Sequence, residues 1–352
     1  MHISTSNHIK QLINDSGLVH LKDNSKKNNL NLDFSSDTIL ITGAAGSIGS
    51  ELTKQLMYCN YKKLVLVDIA ESPLYELQQK LEFKTNNIKF ILLNITEKES
   101  LDYLFKTYKP TLIFHTAAYK HVPLMEYNPY EAIKINILGT KLLADLSVKH
   151  KTKKFVFIST DKAVNPISVM GMSKRIAERY LLNLNSADKT KFIITRFGNI
   201  FGSNGSVVPL FINQIHAGKP LTVTNKNISR YFICKNKACN LILEIARFKV
   251  SESPVFTFNM GKPIKIIDLA KTLITFYNED VTIKITNVRS GEKLHEDIIS
   301  NNETLVDTPH KDIMQVKSKN DNSIKTLNFD ALLKITPFNS ASEIKTILER
   351  YI

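Results

Sequence analysis

An acid and an amine stand side by side at Asp161 and Lys162, directly after the apolar run KFVFIST. Neighbouring groups of this kind can donate and accept protons in one reaction, and each stabilises the charged form of the other. On an open surface the same pair is an ordinary solvated ion pair. Here it follows the predicted carboxyl end of a sheet strand, where the sites of parallel sheets lie, so we predict that the pair is catalytic.

A glycine-rich turn supplies a second chemical signal. Gly43, Gly46 and Gly49 are spaced three apart, between the apolar run TILIT and a helical pattern that starts at Ser47. Glycine permits the tight turn and lets backbone N–H groups approach a pyrophosphate at the N-terminus of the helix. A second predicted strand, KKLVLVD, ends at Asp68, where a carboxylate can bind an adenosine ribose and repels a 2′-phosphate. We therefore predict NAD or NADP as cofactor, with NAD favoured.

These groups must be positioned by a sheet. From Thr38 the sequence alternates continuous apolar runs with helical patterns, which is typical of a parallel sheet covered by helices on both faces. The expected fold is α/β, a doubly wound parallel sheet of the Rossmann type with a smaller interleaved C-terminal region. The predicted divisions are a polar N-terminal arm over 1–36, the sheet domain over 37–200 with 230–262 returning to it, and the second region over 201–229 and 263–352.

Composition narrows the class of protein. The formal net charge is +14, but the lysines are scattered, so we interpret the charge as a solvated surface and expect no nucleic-acid partner. The three cysteines, Cys59, Cys234 and Cys239, lack metal-ligand spacing, and we expect no metal site. No apolar stretch is long enough for a membrane span and the N-terminus lacks a signal-peptide core, which predicts a cytoplasmic protein.

Six motifs give the chain a family resemblance. They are GAAGSIGSEL, HTAAYKHVPLMEYNPYEAIKINILGT, STDKAVNPISVMGMSKR, RFGNIFGSNGSVVPLF, SRYF and VRSGEKLHED. From about Thr38 to Lys317 the sequence resembles the UDP-N-acetylglucosamine 4,6-dehydratases of bacterial polysaccharide biosynthesis, which belong to the extended short-chain dehydrogenase/reductase superfamily. Larger members of that family carry an N-terminal membrane region, and this chain resembles their catalytic half.

The resemblance implies a reaction with three stages. The sugar is oxidised at C4, water is eliminated across C5 and C6, and a hydride returns to C6, which leaves a UDP-4-keto-6-deoxy sugar. By the same resemblance, Asp161 protonates or assists the leaving C6 hydroxyl and Lys162 takes the C5 proton, although these two roles could be reversed. Thr160 or Ser159 would hydrogen-bond the C4 oxygen.

Two further catalytic positions lie on the next helix. Lys174 matches the superfamily lysine that binds the nicotinamide ribose. Four residues before it, Met170 stands where many of these enzymes have tyrosine, and a thioether cannot act as a base. A water relayed by Lys174, or a residue of the substrate site, would then take the C4 proton. A subset of the dehydratases has methionine here, whereas a tyrosine-dependent epimerase or reductase would be impaired, so Met170 favours the dehydratase branch.

The resemblance also implies two sets of binding residues. The cofactor set is Gly43, Ala45, Gly46, Ser47, Ile48, Gly49, Asp68, Asn94, Ile95, Ala117, Ala118 and Lys174. Arginines can fork onto phosphate and a glutamate can bind ribose hydroxyls, so the set for the UDP-sugar is Lys120, His121, Asn199, Arg230, Arg289 and Glu292. Asn136 would support the active-site helix, and a homo-oligomer is expected.

Two other functions remain open at this point. A nucleotide-sugar epimerase on the same scaffold would use the cofactor without needing the Asp161–Lys162 pair. A cofactor-sensing or nucleic-acid-binding module that had lost catalysis would account for the charge and for Met170. Such a module would have no reason to keep Asp161, Lys162 and Lys174 together, and the fold alone cannot decide among these functions.

Overall fold

The computed structural model describes residues 3–17, 32–81, 87–185, 190–248, 254–319 and 328–352. Its strands are β1 (Asp33–Thr42), β2 (Asn60–Asp68), β3 (Ile88–Leu92), β4 (Leu112–His115), β5 (Lys154–Ile158), β6 (Lys191–Arg196), β7 (Asn199–Phe201), β8 (Leu221–Val223), β9 (Ser229–Arg230), β10 (Phe232–Cys234), β11 (Val255–Phe258), β12 (Ile264–Lys265), β13 (Ile283–Ile285), β14 (Glu303–Asp307) and β15 (Ile313–Ser318).

The helices are α1 (Ile3–Asp15), α2 (Ser47–Leu56), α3 (Glu71–Lys80), α4 (Lys98–Tyr108), α5 (Val122–Tyr127), α6 (Pro129–Ala132), α7 (Thr140–Lys149), α8 (Val169–Asn185), α9 (Val207–His216), α10 (Lys235–Arg247), α11 (Ile266–Tyr277), α12 (Asp330–Leu333) and α13 (Ala341–Glu349). A π-helical turn, Ile133–Gly139, joins α6 to α7, and a 3₁₀ turn covers Asp161–Ala163. None of the helices in the ranges given above combines the length and apolar character needed to cross a bilayer.

Nine strands of the described residues form one sheet, in the order β14-β15-β11-β6-β5-β4-β1-β2-β3. The strands from β11 to β3 are all parallel, and β15 runs antiparallel to both of its neighbours. The strand order reverses between β1 and β4, because the chain moves outward from β1 to β3 and then returns to β4. Ligands of doubly wound sheets bind at the carboxyl ends of the strands beside such a reversal, and the predicted fold class is confirmed.

Both faces of the central strands of the sheet are buried. Ile39 and Ile41 of β1 belong to a core that includes side chains of α2, α3 and α10, whereas Leu40 belongs to a core that includes side chains of α4, α7 and α8. Successive side chains of a strand point to opposite faces, so each face takes alternate residues. Burial on both sides explains why the strands are continuous apolar runs in the sequence.

The second region begins three residues beyond the end of β6. In the described chain it contains three two-stranded sheets, which pair β7 with β10, β8 with β13 and β9 with β12. All of these strands except β9 contribute side chains to a separate apolar core that they share with α9 and α11. Because β7 starts at Asn199 and β6 ends at Arg196, the carboxyl edge of the main sheet leads directly into this region.

The N-terminal residues differ from the polar arm that the sequence predicted. Helix α1 packs on the core of the second region through Ile9, Leu12 and Ile13, which are all buried. These residues recur at spacings of three and four and form one apolar stripe, a signal that the polar composition around them obscured. Strand β1 also begins inside the predicted arm, at Asp33. Residues 18–31 of the arm lie outside the described residues.

The C-terminal residues differ as well, since 263–352 do not all belong to the second region. Strands β14 and β15 extend the main sheet because β15 pairs with β11. Helices α12 and α13 contribute Leu332, Ile344 and Leu348 to an apolar cluster with α6, α8 and the π-helical turn. The chain therefore returns to the sheet domain more than once.

Candidate active site

The glycine turn lies at the strand-order reversal, between the carboxyl ends of β1 and β4. Gly43 has a φ of +68°, and a Cβ atom there would lie 2.6 Å from the backbone N of Ala117, which follows β4. A Cβ atom at Gly49 would lie 2.2 Å from the carbonyl O of Gly43. Helix α2 begins behind Gly46 without a side-chain cap. The turn therefore packs backbone against backbone and leaves the N-terminus of α2 open to an anion.

Asp68 stabilises this turn through one of its two hydrogen bonds. Its Oδ2 accepts a hydrogen bond of 2.9 Å from the N–H of Ala45, and its Oδ1 accepts one of 3.0 Å from the N–H of Ala70. A carboxylate offers about four acceptor positions, so both oxygens can still bind ribose hydroxyls. The half-buried Ile48 packs against the core under α2, and Ser47 Oγ accepts a hydrogen bond from the N–H of Asn204.

The remaining residues that were predicted to bind the cofactor follow β3 and β4. Asn94 Oδ1 accepts hydrogen bonds from both the N–H and the hydroxyl of Thr96, so its side chain closes a local turn. Ile95 is buried and lies against Gly139 of the π-helical turn. Ala118 is half-buried in the loop after β4. The structure therefore brings these residues to the edge of the sheet that carries the glycine turn. The Asn94 side-chain oxygen is already hydrogen-bonded to Thr96.

Asp161 and Lys162 form the 3₁₀ turn just beyond β5. Asp161 is 1% exposed, and its Oδ1 accepts hydrogen bonds from Lys162 Nζ at 3.0 Å and from Thr160 Oγ1 at 2.9 Å. Lys162 Nζ also donates to Asn199 Oδ1 at 3.0 Å. Asp161 Oδ2 is buried and has no hydrogen-bond partner among the described residues. The pair therefore joins a buried carboxylate to a half-buried amine, and one carboxylate oxygen makes no hydrogen bond within the described residues.

The sequence analysis missed Glu296, a third ionisable group at this pair. Its Oε1 lies 3.7 Å from Lys162 Nζ, and its side chain is 3% exposed. Burial raises the pKa of Glu296. Its position in VRSGEKLHED was the available signal, but an isolated glutamate in a loop is usually solvated.

Of the two hydroxyls considered for the C4 oxygen, one is already engaged. Ser159 Oγ donates to Glu178 Oε1 at 2.6 Å, and Glu178 is in turn paired with the buried Arg196. Thr160 is half-buried and donates its hydroxyl to Asp161. Thr160 is therefore the hydroxyl that can relay a proton to the carboxylate.

Lys174 lies on α8 under the end of β5. Its Nζ donates to the carbonyl O of Ile158 at 2.8 Å and lies 4.4 Å from the centroid of the Phe157 ring. Burial lowers the pKa of Lys174 to about 7, and the charge of Glu178 opposes that shift. The side chain thus lies near the point where it exchanges a proton at neutral pH.

Met170 is 3% exposed and belongs to the apolar cluster that α5, α6, α8 and α13 share. Its side chain supplies core volume at the position where a tyrosine would supply a hydroxyl. Asn136 is fully buried nearby and exchanges two hydrogen bonds with the backbone of Tyr119, and it donates a third to Ser173 Oγ. That amide ties the loop after β4 to helix α8.

A cavity of about 130 Å³ lies in the second region. Four of the six predicted substrate residues line it, namely Asn199, Arg230, Arg289 and Glu292. The N-terminus of α9 also opens onto it through Gly205, Ser206 and Val207, and Ser206 Oγ is buried with no hydrogen-bond partner in the residues described. Its apolar lining residues include Leu210, Val223, Ile228 and Ile266, and Thr222 and Thr224 also line it.

Arg230 is only 5% exposed, and most of its hydrogen bonds go to backbone carbonyl oxygens. Its guanidinium donates to the carbonyl O atoms of Ser229, Lys293 and Leu294, and it lies 3.5 Å from a carboxylate oxygen of Glu292. It therefore holds the RSGEKLHE segment against β9. Arg289 also lines the cavity, and because it is exposed it is the freer of the two arginines.

Lys120 and His121 contact the loop before α9 rather than lining the cavity. Lys120 Nζ donates to the carbonyl O of Asn204 at 2.9 Å. The ring of His121 lies so close to Gly205 that a Cβ atom there would be 2.6 Å from its Cε1. Burial lowers the pKa of His121, and the charge of Lys120 adds to that shift.

Comparisons with known proteins give consistent similarities. A profile of the family described as "Polysaccharide biosynthesis protein" matches residues 39–318. The capsular polysaccharide biosynthesis protein CapD of Staphylococcus aureus is 44% identical over 302 residues, which are 84% of this chain and 50% of CapD. The chain thus spans about half the length of CapD.

Two other relatives are matched over most of their length. A UDP-glucose 4-epimerase of Rickettsia bellii is 34% identical over 285 residues, which are 77% of this chain and 80% of the epimerase. A UDP-N-acetylglucosamine 4,6-dehydratase (inverting) of Campylobacter jejuni is 33% identical over 275 residues, again 77% of this chain and 80% of the relative. The X-ray structure of Pen from Bacillus thuringiensis superposes with a TM-score of 0.75 at 30% identity, covering 81% of this chain and 90% of Pen.

Proposed function

The chain belongs to the polysaccharide biosynthesis protein family, and from that premise we propose that it is a nucleotide-sugar 4,6-dehydratase that acts on UDP-N-acetylglucosamine. The product would be a UDP-4-keto-6-deoxy sugar for a surface polysaccharide or glycan. The observation that carries the proposal is the Asp161–Lys162 pair, in which one oxygen of the buried carboxylate makes no hydrogen bond within the described residues. An elimination needs a base for the C5 proton and an acid for the leaving C6 hydroxyl, whereas a C4 epimerisation needs proton transfer only at the C4 oxygen.

A nicotinamide dinucleotide fits the glycine turn. The positions of Gly43 and Gly49 exclude a Cβ atom, and the uncapped N-terminus of α2 can hold the pyrophosphate. Asp68 would bind the adenosine ribose and favours NAD over NADP, because a carboxylate repels a 2′-phosphate. Lys174 would bind the nicotinamide ribose. When bound, the nicotinamide would supply the reversible hydride chemistry for oxidation at C4 and reduction at C6 of the sugar.

The cavity in the second region offers binding groups for part of the nucleotide, because its volume of about 130 Å³ is below the roughly 300–1,000 Å³ of most ligand pockets. Its apolar lining residues suit a base, and the N-terminus of α9, with the orphaned Ser206 hydroxyl, suits a diphosphate. Arg289 can neutralise phosphate, and Glu292 can accept hydrogen bonds from ribose hydroxyls. Asn199 lines the cavity and also contacts Lys162, so the sugar would extend from the cavity toward the acid–base pair.

Three side chains can carry all the protons that move in the proposed reaction. Thr160 accepts the C4 hydroxyl proton and passes its own to Asp161, with which it is already hydrogen-bonded. Asp161 then gives that proton, which it receives on Oδ1 from Thr160, to the C6 hydroxyl as it leaves as water. Lys162 takes the C5 proton and returns it to C5 after C6 has been reduced. In this scheme Met170 needs no acid–base function.

The test is turnover of UDP-N-acetylglucosamine followed by mass spectrometry, in which dehydration removes the mass of one water. Asp161→Asn keeps the shape of the side chain but can neither take the C4 proton nor protonate the leaving group. Its turnover should fall by about 10²–10⁴-fold, the usual contribution of a positioned acid or base. Binding of UDP, measured by calorimetry, should stay unchanged. Near-full dehydration by this variant would show that the pair is only an ion pair.

Epimerisation is the second candidate, because the chain is also similar to UDP-glucose 4-epimerases. The two reactions differ in product mass, since an epimer has the mass of its substrate. A wild-type product of unchanged mass would decide for the epimerase.

A further inference from the structure

Glu296 is a buried carboxyl that the proposed steps do not use. Its Oε1 lies 3.7 Å from Lys162 Nζ and 4.0 Å from Arg230 Nε, and its Oε2 lies 4.0 Å from Lys293 Nζ. Oε2 is buried and has no hydrogen-bond partner within the described chain. A surface ion pair would be solvated and a structural carboxylate would be fully hydrogen-bonded, and Glu296 is neither.

The charges around Glu296 come from three segments. Lys162 and Asp161 face it from the 3₁₀ turn, Arg230 from β9, and Lys293 from its own segment. Burial is the main cause that raises its pKa, the charge of Asp161 adds to the shift, and the three cations oppose it. Glu296 therefore exchanges its proton closer to neutral pH than an ordinary carboxyl does.

Lys162 is enclosed between two carboxylates. Its Nζ donates to Asp161 Oδ1 and to Asn199 Oδ1, both at 3.0 Å, and the side toward Glu296 makes no contact shorter than 3.7 Å. The Lys162 side chain is 18% exposed, so little water competes for that side. The position of the amine thus depends on the charge of Glu296.

Glu296 is also carried by the segment that lines the nucleotide cavity. Arg230 holds that segment by donating to the carbonyl O atoms of Lys293 and Leu294, and Glu292 of the same segment lines the cavity. A nucleotide bound in the cavity would therefore fix the backbone on which Glu296 approaches Lys162.

We propose that Glu296 is a positioning residue for the elimination step, which holds the amine of Lys162 in line with the sugar C5 and ties that alignment to nucleotide binding. This inference rests on the proposed function, because it assigns Glu296 to the loss of water. Glu296 touches neither substrate nor cofactor in this role and acts through Lys162.

The test replaces Glu296 by Gln, a neutral side chain of the same shape. For Glu296→Gln, kcat of dehydration should fall on the order of 10²-fold, the size of effect that misplacement of a reacting group produces. KM and the UDP affinity should barely change, because Arg230 keeps its backbone partners. Glu296→Asp keeps the charge on a shorter side chain and should recover part of kcat. Asp297→Asn is the matched control, since it removes one carboxylate from an exposed neighbour, and it should keep wild-type kcat.

Two pH-dependent readouts separate positioning from a structural role. Wild-type kcat should decline as the pH falls through the raised pKa of Glu296, and the part of that decline that Glu296 causes should be absent from Glu296→Gln, which has no carboxyl at this position. A raised carboxyl pKa favours the folded state at acid pH and disfavours it at neutral pH. The melting temperature of Glu296→Gln should therefore equal or exceed that of the wild type at pH 8, and this advantage should shrink toward pH 5.

Three results would contradict the positioning role of Glu296, and a fourth would contradict the proposed function. Wild-type kcat in Glu296→Gln, or a lower melting temperature together with weaker UDP binding, overturns the proposal. If Glu296→Gln does not fold, a folded Glu296→Asp with wild-type kcat and pH profile overturns it as well. Failure of the proposed function looks different, because the wild-type protein itself would then release no dehydrated sugar.

Discussion

Lys174 allows the most quantitative prediction, because its charge is buried. The residue is 6% exposed, donates to the Ile158 carbonyl and lies over the Phe157 ring. Burial lowers its pKa from 10.5 to about 7. A methionine at this position would keep most of the volume and remove the charge. We expect the stability of Lys174→Met, relative to wild type, to depend on pH.

The sign follows from proton uptake. Between about pH 7 and pH 10.5 the unfolded chain holds a proton on Lys174 that the folded protein has released. Unfolding therefore takes up a proton, and the wild-type protein gains stability as the pH rises, by at most about 1.4 kcal/mol per pH unit. The loss of folding stability caused by burying the charged lysine is at its full value below about pH 7 and is absent above pH 10.5. From pH 7 to pH 9 the gain is about 2 kcal/mol.

Urea unfolding of the cofactor-free protein at pH 7 and pH 9 measures this gain. Other groups titrate equally in both proteins, so the quantity of interest is the wild-type free energy of unfolding minus that of Lys174→Met. This difference should rise by about 2 kcal/mol between the two pH values. Lys54→Met is the control, because Lys54 is exposed on α2, and its difference should stay constant. A difference for Lys174→Met that is equal at both pH values would refute the reasoning.

Two further predictions concern the binding residues. Gly43→Ala and Gly218→Ala both place alanine at a positive φ, of +68° and +61°, which should cost about 1–2 kcal/mol in each. Only Gly43→Ala also drives a Cβ into the backbone of Ala117, for about 1–3 kcal/mol more, whereas Gly218 has nothing within 4 Å. Equal losses in urea unfolding would contradict the close packing of the turn. Arg289→Ala should weaken UDP binding by about 1.5–3 kcal/mol, as expected for a charge-assisted hydrogen bond, and unchanged calorimetric affinity would exclude that contact.

Features that depend on neighbouring residues were predictable from the sequence. The apolar runs and intervening helical patterns indicate the parallel sheet, because strands buried on both faces need apolar side chains throughout. The glycine turn was predictable because Gly43 must adopt a backbone that other residues avoid. The acid–base pair was predictable because Asp161 and Lys162 are adjacent, and any fold that buries one brings the other.

The tertiary structure decided which distant groups meet these residues. Glu296 reaches Lys162 only because Arg230 draws its segment against β9 at the carboxyl edge of the sheet. Ser159 and Thr160 are equivalent in sequence, and the position of Glu178 on α8 engages the first and leaves the second to Asp161. A residue type and its neighbours specify what a side chain can do, but long-range packing specifies its hydrogen-bond partners, and those partners determine which oxygen or amine remains free for chemistry.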